Sequence, residues 1–171
     1  MPRDPEKNKA SKPNLSHIDE AGKAQMVDIT NKPASHRRAT ASAQLTVAPE
    51  TLHAIQDNRL AKGDVIATAR LAGIMGAKKT ADLIPLCHPL PLSSVHVVID
   101  LEPPNRIRIL ATAQTFASTG VEMEALTAAN IAALTIYDMT KAIDRAIEIG
   151  PVRLEHKQGG RRGVWQRDDS C

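Results

Sequence analysis

Along the chain the spacing of apolar positions changes period several times, and each change marks an element. Ala43, Leu45 and Val47 alternate with Gln44 and Thr46, which predicts a half-buried strand. Pro49 opens a short helix through Leu52 and Ile55, because the N–H that proline lacks is one the first turn leaves unbonded anyway. Asp64 is a good N-cap. Val65, Ala69 and Ala72, with Ile66, Leu71 and Ile74 beside them, then keep helical spacing as far as Lys78 and Lys79, whose charges suit a helix C-terminus. Val95, Val97, Ile99 and Leu101 return to period two. Pro103-Pro104-Asn105 turns the chain, and Ile107, Ile109, Ala111 and Ala113 alternate again, which predicts a β-hairpin. From Glu122 to about Ile147 runs an Ala/Leu/Ile-rich segment without Gly or Pro, the predicted main helix, with Gly150-Pro151 as its terminator. Val152, Leu154 and His156 alternate with Arg153, Glu155 and Lys157 in a last strand before Gly159-Gly160.

Strand, helices, strand, strand, helix, strand is the βαββαβ order of an α+β, ferredoxin-like fold, an antiparallel sheet with helices on one face. The other face is left uncovered. Small aliphatic residues on exposed helix and sheet surfaces would then need burial by another subunit, so an oligomer is expected.

At 171 residues the chain suits one domain. We expect residues 1–14 to be a disordered leader, 15–160 the folded domain and 161–171 a flexible tail. Met1 to Pro13 holds three prolines, four basic and two acidic residues and almost nothing apolar, and the tail is polar except for Trp165.

Composition narrows the function. The chain is 42% hydrophobic but only 2% aromatic, so the core must be aliphatic and little surface is left for stacking on bases. The net charge of +3 suits an anionic ligand without announcing nucleic acid. Cys87 and Cys171 form neither a disulfide framework nor a Cys-x-x-Cys pair, as in a reducing compartment, so the cytoplasm is expected. The uncharged run from Leu83 to Ile99 is broken by Pro85, Pro89 and Pro91 and polarised by His88 and His96, so no membrane span is expected, and the charged N-terminus does not look like a secretory signal.

Four segments could carry chemistry, and each also has an ordinary explanation. Leu83-Ile-Pro-Leu-Cys-His-Pro-Leu90 is a proline-fixed loop that could present Cys87 and His88 as a ligand wall, or merely bury a small thiol. Thr119-Gly-Val-Glu-Met-Glu-Ala-Leu126 feeds a helix whose Glu122 and Glu124 could simply complement its dipole. Asp138 and Lys141, three apart on one helix face, are either a salt bridge or an acid/base pair in a shielded cleft. Lys157-Gln-Gly-Gly-Arg-Arg-Gly163 could close over phosphate oxygens or be a solvated tail. Arg37, Arg38 and Lys62 add surface cations.

In combination these segments are specific. Leu-Ile-Pro-Leu-Cys-His-Pro-Leu, Thr-Gly-Val-Glu-Met-Glu-Ala-Leu-Thr-Ala and Leu-Thr-Ile-Tyr-Asp-Met, in this order on this frame, closely resemble the cyclic pyranopterin monophosphate synthase family of molybdenum cofactor biosynthesis. The resemblance runs from about Leu15 to Gly163 and includes His17-Ile-Asp, Met26-Val-Asp, Lys62-Gly-Asp-Val and Gly150-Pro-Val-Arg-Leu. It implies a lyase acting after the radical GTP cyclase, which converts a 3′,8-cyclo-dihydroguanosine triphosphate to cyclic pyranopterin monophosphate with loss of diphosphate. No cofactor and no metal are implied. It also implies a homohexamer, a trimer of dimers paired across the sheet, with each active site at a subunit interface. By matching position, catalytic roles fall on Asp138, Lys141 and Lys157, and substrate contacts on Leu86, Cys87, His88, Met123, Glu124, Arg37 and Lys62. Three positions depart from the family's pattern: Ser118 where lysine is frequent, Thr140 where cysteine is frequent, and Arg161-Arg162 where Lys-Ser is common.

Two rival classes fare worse. A ferredoxin-like RNA-binding module would place aromatic residues on its central strands, and those from Val95 to Leu101 and Arg106 to Thr115 have none. A metal-organised oligomer built on His88, His96 and His156 lacks ligand spacing.

Overall fold

In the computed structural model, which describes residues 22–161 and 163–168, the period-two segments are strands β1 (Ser35–Thr46), β2 (Ser94–Glu102), β3 (Arg106–Ala117) and β4 (Glu148–Gln158). A fifth strand, β5 (Trp165–Gln166), follows. The helical segments are α1 (Pro49–Gln56), α2 (Val65–Lys78), α3 (Thr80–Leu83) and α4 (Glu122–Thr140). The strands form one sheet in the order β2-β3-β1-β4-β5, every pair antiparallel, so the ferredoxin-like α+β frame is correct. The expected leader lies outside the described residues. Among the described residues no helix is long and apolar enough to cross a membrane.

Several boundaries follow the expected signals. Pro49 sits in the first turn of α1, and Asp64 Oδ1 accepts the Ala67 N–H at 2.9 Å as the N-cap of α2. Alternation puts Ala39, Ala41, Ala43 and Leu45 of β1 and Ile107, Ile109, Ala111 and Ala113 of β3 on one buried face beneath α4. The core is accordingly aliphatic, built of Ala, Leu, Ile and Val with Met139, while Phe116 and Trp165 are exposed and Tyr137 only partly buried. Gly73 and Gly76 let α2 lie against α4, since a Cβ at Gly73 would meet Ala128 O at 2.9 Å and one at Gly76 would meet Ile131 Cγ1 at 2.8 Å.

Four expectations need correction. The main helix ends at Thr140, not near Ile147, because Asp144 turns away to hold the start of α1: its Oδ2 accepts the Ala48 N–H at 2.8 Å and the Thr51 hydroxyl at 3.2 Å. β4 begins at Glu148 and runs through Gly150-Pro151, which forms no terminator; Gly150 adopts φ 142° where the register against β1 shifts between Ala43 and Leu45. The sheet gains β5 from the segment expected to be tail, Trp165 pairing with Lys157 and Gln166 with His156. The uncovered sheet face is polar rather than aliphatic: Arg38, Thr40, Ser42, Gln44, Arg108 and Arg153 line a basin there, with Ser42 Oγ donating to Glu155 Oε1. Leu71, Met75 and Leu134 are exposed on the helical side, and apolar exceptions on the open sheet face include Leu110, in the basin, and the exposed Phe116 near the end of β3.

Candidate active site

The site residues expected from the sequence separate into two groups at opposite ends of α4. Asp138 lies sixteen residues beyond Glu122, which at about 1.5 Å per residue places the two roughly 24 Å apart. Within one chain, therefore, Lys62 does not join Arg37 and Lys157 in a single cluster of cations.

The N-terminal end of α4 opens into a cavity of about 850 Å³. Leu86, Cys87 and His88 line it from the loop after α3, where the Cys87 N–H bonds Ile84 O at 3.0 Å. Met123 and Glu124 line it from the first turn of α4, and Arg37 from β1. Arg37 is braced there, Nε donating to Ala117 O at 3.3 Å and an Nη to Ser118 O at 3.4 Å. The Gly159-Gly160 turn passes so near that a Cβ on Gly160 would fall 1.8 Å from Arg37 Nη1. Glu124 is only 4% exposed, and its Oε2 has no hydrogen-bond partner among the described residues. Burial pushes its carboxyl above the usual range, and the charge of Glu122 adds to this. Burial, and then the nearby Glu124 charge, likewise push the Cys87 thiol up, which makes it a poor nucleophile. Lys157, on β4, faces the same end, where Nζ donates to Glu122 Oε1 at 3.1 Å and Oε2 at 3.2 Å.

The C-terminal end of α4 carries Asp138, Lys141 and Lys62. Lys141 Nζ lies 2.7 Å from Asp138 Oδ1; Lys62 Nζ donates to Asp138 Oδ2 at 2.9 Å and to Asp138 O at 2.6 Å. The expected i,i+3 pair therefore exists, and the second lysine joins it from the loop before α2. Hydrogen bonds from Lys141 and then Lys62 hold the Asp138 carboxyl down at about 2, and Asp138 in turn pushes the Lys141 ammonium up. A carboxylate so stabilised is a weak base while both lysines stay with it. Two lysines about one carboxylate form a site for anionic oxygens, and a buried carboxyl beside a His and a guanidinium forms one for a polar ring.

The MoaC family matches residues 26–160. The chain belongs to the MoaC family. It is 57% identical over 156 residues to "Cyclic pyranopterin monophosphate synthase 1" of Mycobacterium tuberculosis, covering 91% of this chain and 92% of that protein. It is 53% identical to cyclic pyranopterin monophosphate synthase of Thermomicrobium roseum, over 91% of this chain and 94% of the relative. It is 54% identical to the synthase of Herpetosiphon aurantiacus, over 89% and 93%.

Within this MoaC chain, the three departures noted above are each placed differently. Ser118 Oγ donates to Lys32 O at 2.7 Å, and Lys32 itself lines the large cavity, so a cation remains close to where the sequence lacks one. Thr140 is buried, its hydroxyl bonded to Ile136 O at 2.7 Å. Arg161 lines the cavity beside Gly160, and Arg162 lies outside the described residues. Sequence reasoning passed over Glu122 as a partner for Lys157, Lys32 as a cavity cation, and Arg145, which shares a cavity with Lys62 and Lys141. The i,i+3 rule reaches pairs on one helix, whereas Lys157 meets Glu122 and Lys62 meets Asp138 across elements. Among the described residues no three His, Cys, Asp or Glu side chains converge to hold a metal ion.

Proposed function

We propose that this chain is a cyclic pyranopterin monophosphate synthase, a phosphorus–oxygen lyase acting in the cytoplasm on the cyclised GTP intermediate. The relatives' shared activity over nearly the whole chain carries this reading, and the two groups of side chains fit its demands. Closing a cyclic monophosphate from a triphosphate requires an internal hydroxyl to attack the α-phosphorus. Diphosphate then leaves with the electron pair of the broken P–O bond. The conversion is redox-neutral, so the reading includes no prosthetic group.

Neither end of α4 is sufficient alone. We therefore read the active site as composite, the ring-binding cavity of one subunit meeting the Asp138 end of another, in an oligomer that as a hexamer would be a trimer of dimers. Arg37 and Lys157 face the substrate from the first end, together with Leu86, Cys87, His88, Met123 and Glu124. Lys62 and Lys141 neutralise the triphosphate at the second. As the lysines turn to phosphate oxygens they release Asp138, whose basicity rises toward that of an ordinary carboxylate, so that substrate binding itself readies the base. Lys141, held beside the base, is the acid that protonates a ring nitrogen as the purine-derived ring opens.

The test is diphosphate release from the cyclised GTP substrate, with subunits exchanged between inactive variants. Glu124→Ala mixed with Asp138→Ala leaves each site a one-half chance of a sound half from either chain, so roughly a quarter of native turnover should return. Lys62→Ala mixed with Asp138→Ala damages the same half in every chain and should return nothing. Recovery in neither mixture would refute the composite site, and native protein that releases no diphosphate would refute the activity.

A further inference from the structure

We propose that Arg145, on the loop after α4, is a further substrate-binding residue that grips the diphosphate portion of the substrate beside Lys62 and Lys141. This rests on the synthase reading and deepens it. Lys62, Tyr137, Lys141, Ala142 and Arg145 line a cavity of about 320 Å³ at the C-terminal end of α4. Three cations there face one carboxylate, Asp138, which is already shared by both lysines, so the cluster carries a surplus of two positive charges. Arg145 makes no hydrogen bond or ion pair among the described residues.

Its exposure does not come from a loose loop. Asp144, 8% exposed, bonds backward to Ala48 N and Thr51 Oγ1 and forward to the Ala146 N–H at 3.0 Å, which fixes the backbone on both sides of Arg145. A buried carboxylate thus fastens the base of an unengaged guanidinium at the rim of a cationic cavity. Lysines offer point charges, whereas a guanidinium presents a planar fork that can hold two phosphate oxygens at once and so orient the leaving group. The ordinary alternative is that Arg145 only offsets the dipole at the end of α4. That role would move stability and leave ligand affinity alone.

The experiment uses the full chain in its native assembly, with inorganic diphosphate as the probe. Calorimetric affinity for diphosphate and the KM and kcat for diphosphate release are measured for native protein, Arg145→Gln and Arg145→Lys, with Tm alongside. Losing a charge-assisted contact should weaken diphosphate binding and raise KM roughly tenfold in Arg145→Gln with Tm nearly unchanged. Arg145→Lys, which keeps the charge but not the fork, should fall between. Unchanged diphosphate affinity in Arg145→Gln, or no diphosphate binding by native protein, overturns the proposal. If native protein binds diphosphate through Arg145 but turns over no substrate, the synthase reading fails and the anion contact stands.

Discussion

Replacing Gly160 by alanine would ask how the cavity at the N-terminal end of α4 keeps Arg37 in place. Gly160 sits at φ 73°, and a Cβ there would stand 1.8 Å from Arg37 Nη1 and 2.7 Å from Cζ. No non-bonded contact survives at that distance, and the guanidinium, the end of a flexible side chain, is the part that yields. It would surrender its bonds to Ala117 O and Ser118 O and swing out of the cavity. Two costs follow and fall on different observables. The left-handed backbone penalises any Cβ by roughly 1–2 kcal/mol, which is a loss of stability. For a chain of this length that lowers Tm by about 2–8 °C. If the guanidinium binds substrate as proposed, removing it forfeits a charge-assisted hydrogen bond worth about 1.5–3 kcal/mol, or roughly 10- to 100-fold in kcat/KM. Measuring kcat/KM for diphosphate release and Tm in native protein, Gly160→Ala, Arg37→Ala and the double variant separates the two. With Arg37 already gone, the new methyl has nothing to displace, so the double variant should match Arg37→Ala in kcat/KM while keeping the Tm loss. An equal activity loss in both backgrounds, or native kcat/KM in Gly160→Ala, refutes the clamp.

The exposed pair of Asp138 and Lys141 should contribute little to stability but much to chemistry. Lys141→Ala and Asp138→Asn are each expected to lower turnover by roughly 10² to 10⁴ with Tm barely moved, the double variant being little worse than either, and near-normal turnover in folded Lys141→Ala would refute the assignment. Glu124, whose carboxyl burial pushes up, holds its proton more tightly folded than unfolded, so it costs increasing stability as pH rises from the ordinary carboxylate range toward its raised value. The Tm of Glu124→Gln relative to native should therefore increase with pH above about 4, and a flat difference in calorimetry across that range would count against a carboxyl raised by burial.

How far the sequence could be read depended on whether local pattern or distant contact decided the outcome. The strands through Ala43 and Val97 and the hairpin at Pro103-Pro104 were legible because alternation and turn residues are local, and so was the Asp64 cap. The end of α4 was not: Ile143, Ala146 and Ile147 continue an apolar helical pattern, and only the demand of the α1 backbone for Asp144 breaks it. β5 has two residues and no periodicity to show. At the site, the resemblance supplied residue identities, and the i,i+3 spacing supplied the pair of Asp138 and Lys141. The segregation to two ends was implicit in a separation of sixteen positions along one helix, yet Lys62 and Glu122 reach their partners through tertiary approach that no spacing rule encodes.

The aliphatic core has an optical consequence. The tryptophan and the tyrosine of this chain both escape full burial, one near each half of the proposed site: Trp165 pairs with Lys157 across β4 and β5, and Tyr137, at the margin of the core, lines the cavity that holds Lys62 and Lys141. Excitation selective for indole therefore reports on the β4 edge, and tyrosine emission on the end of α4, with almost no background from buried rings. A ligand titration followed at the two wavelengths would read each half separately, without a label and without altering a single residue.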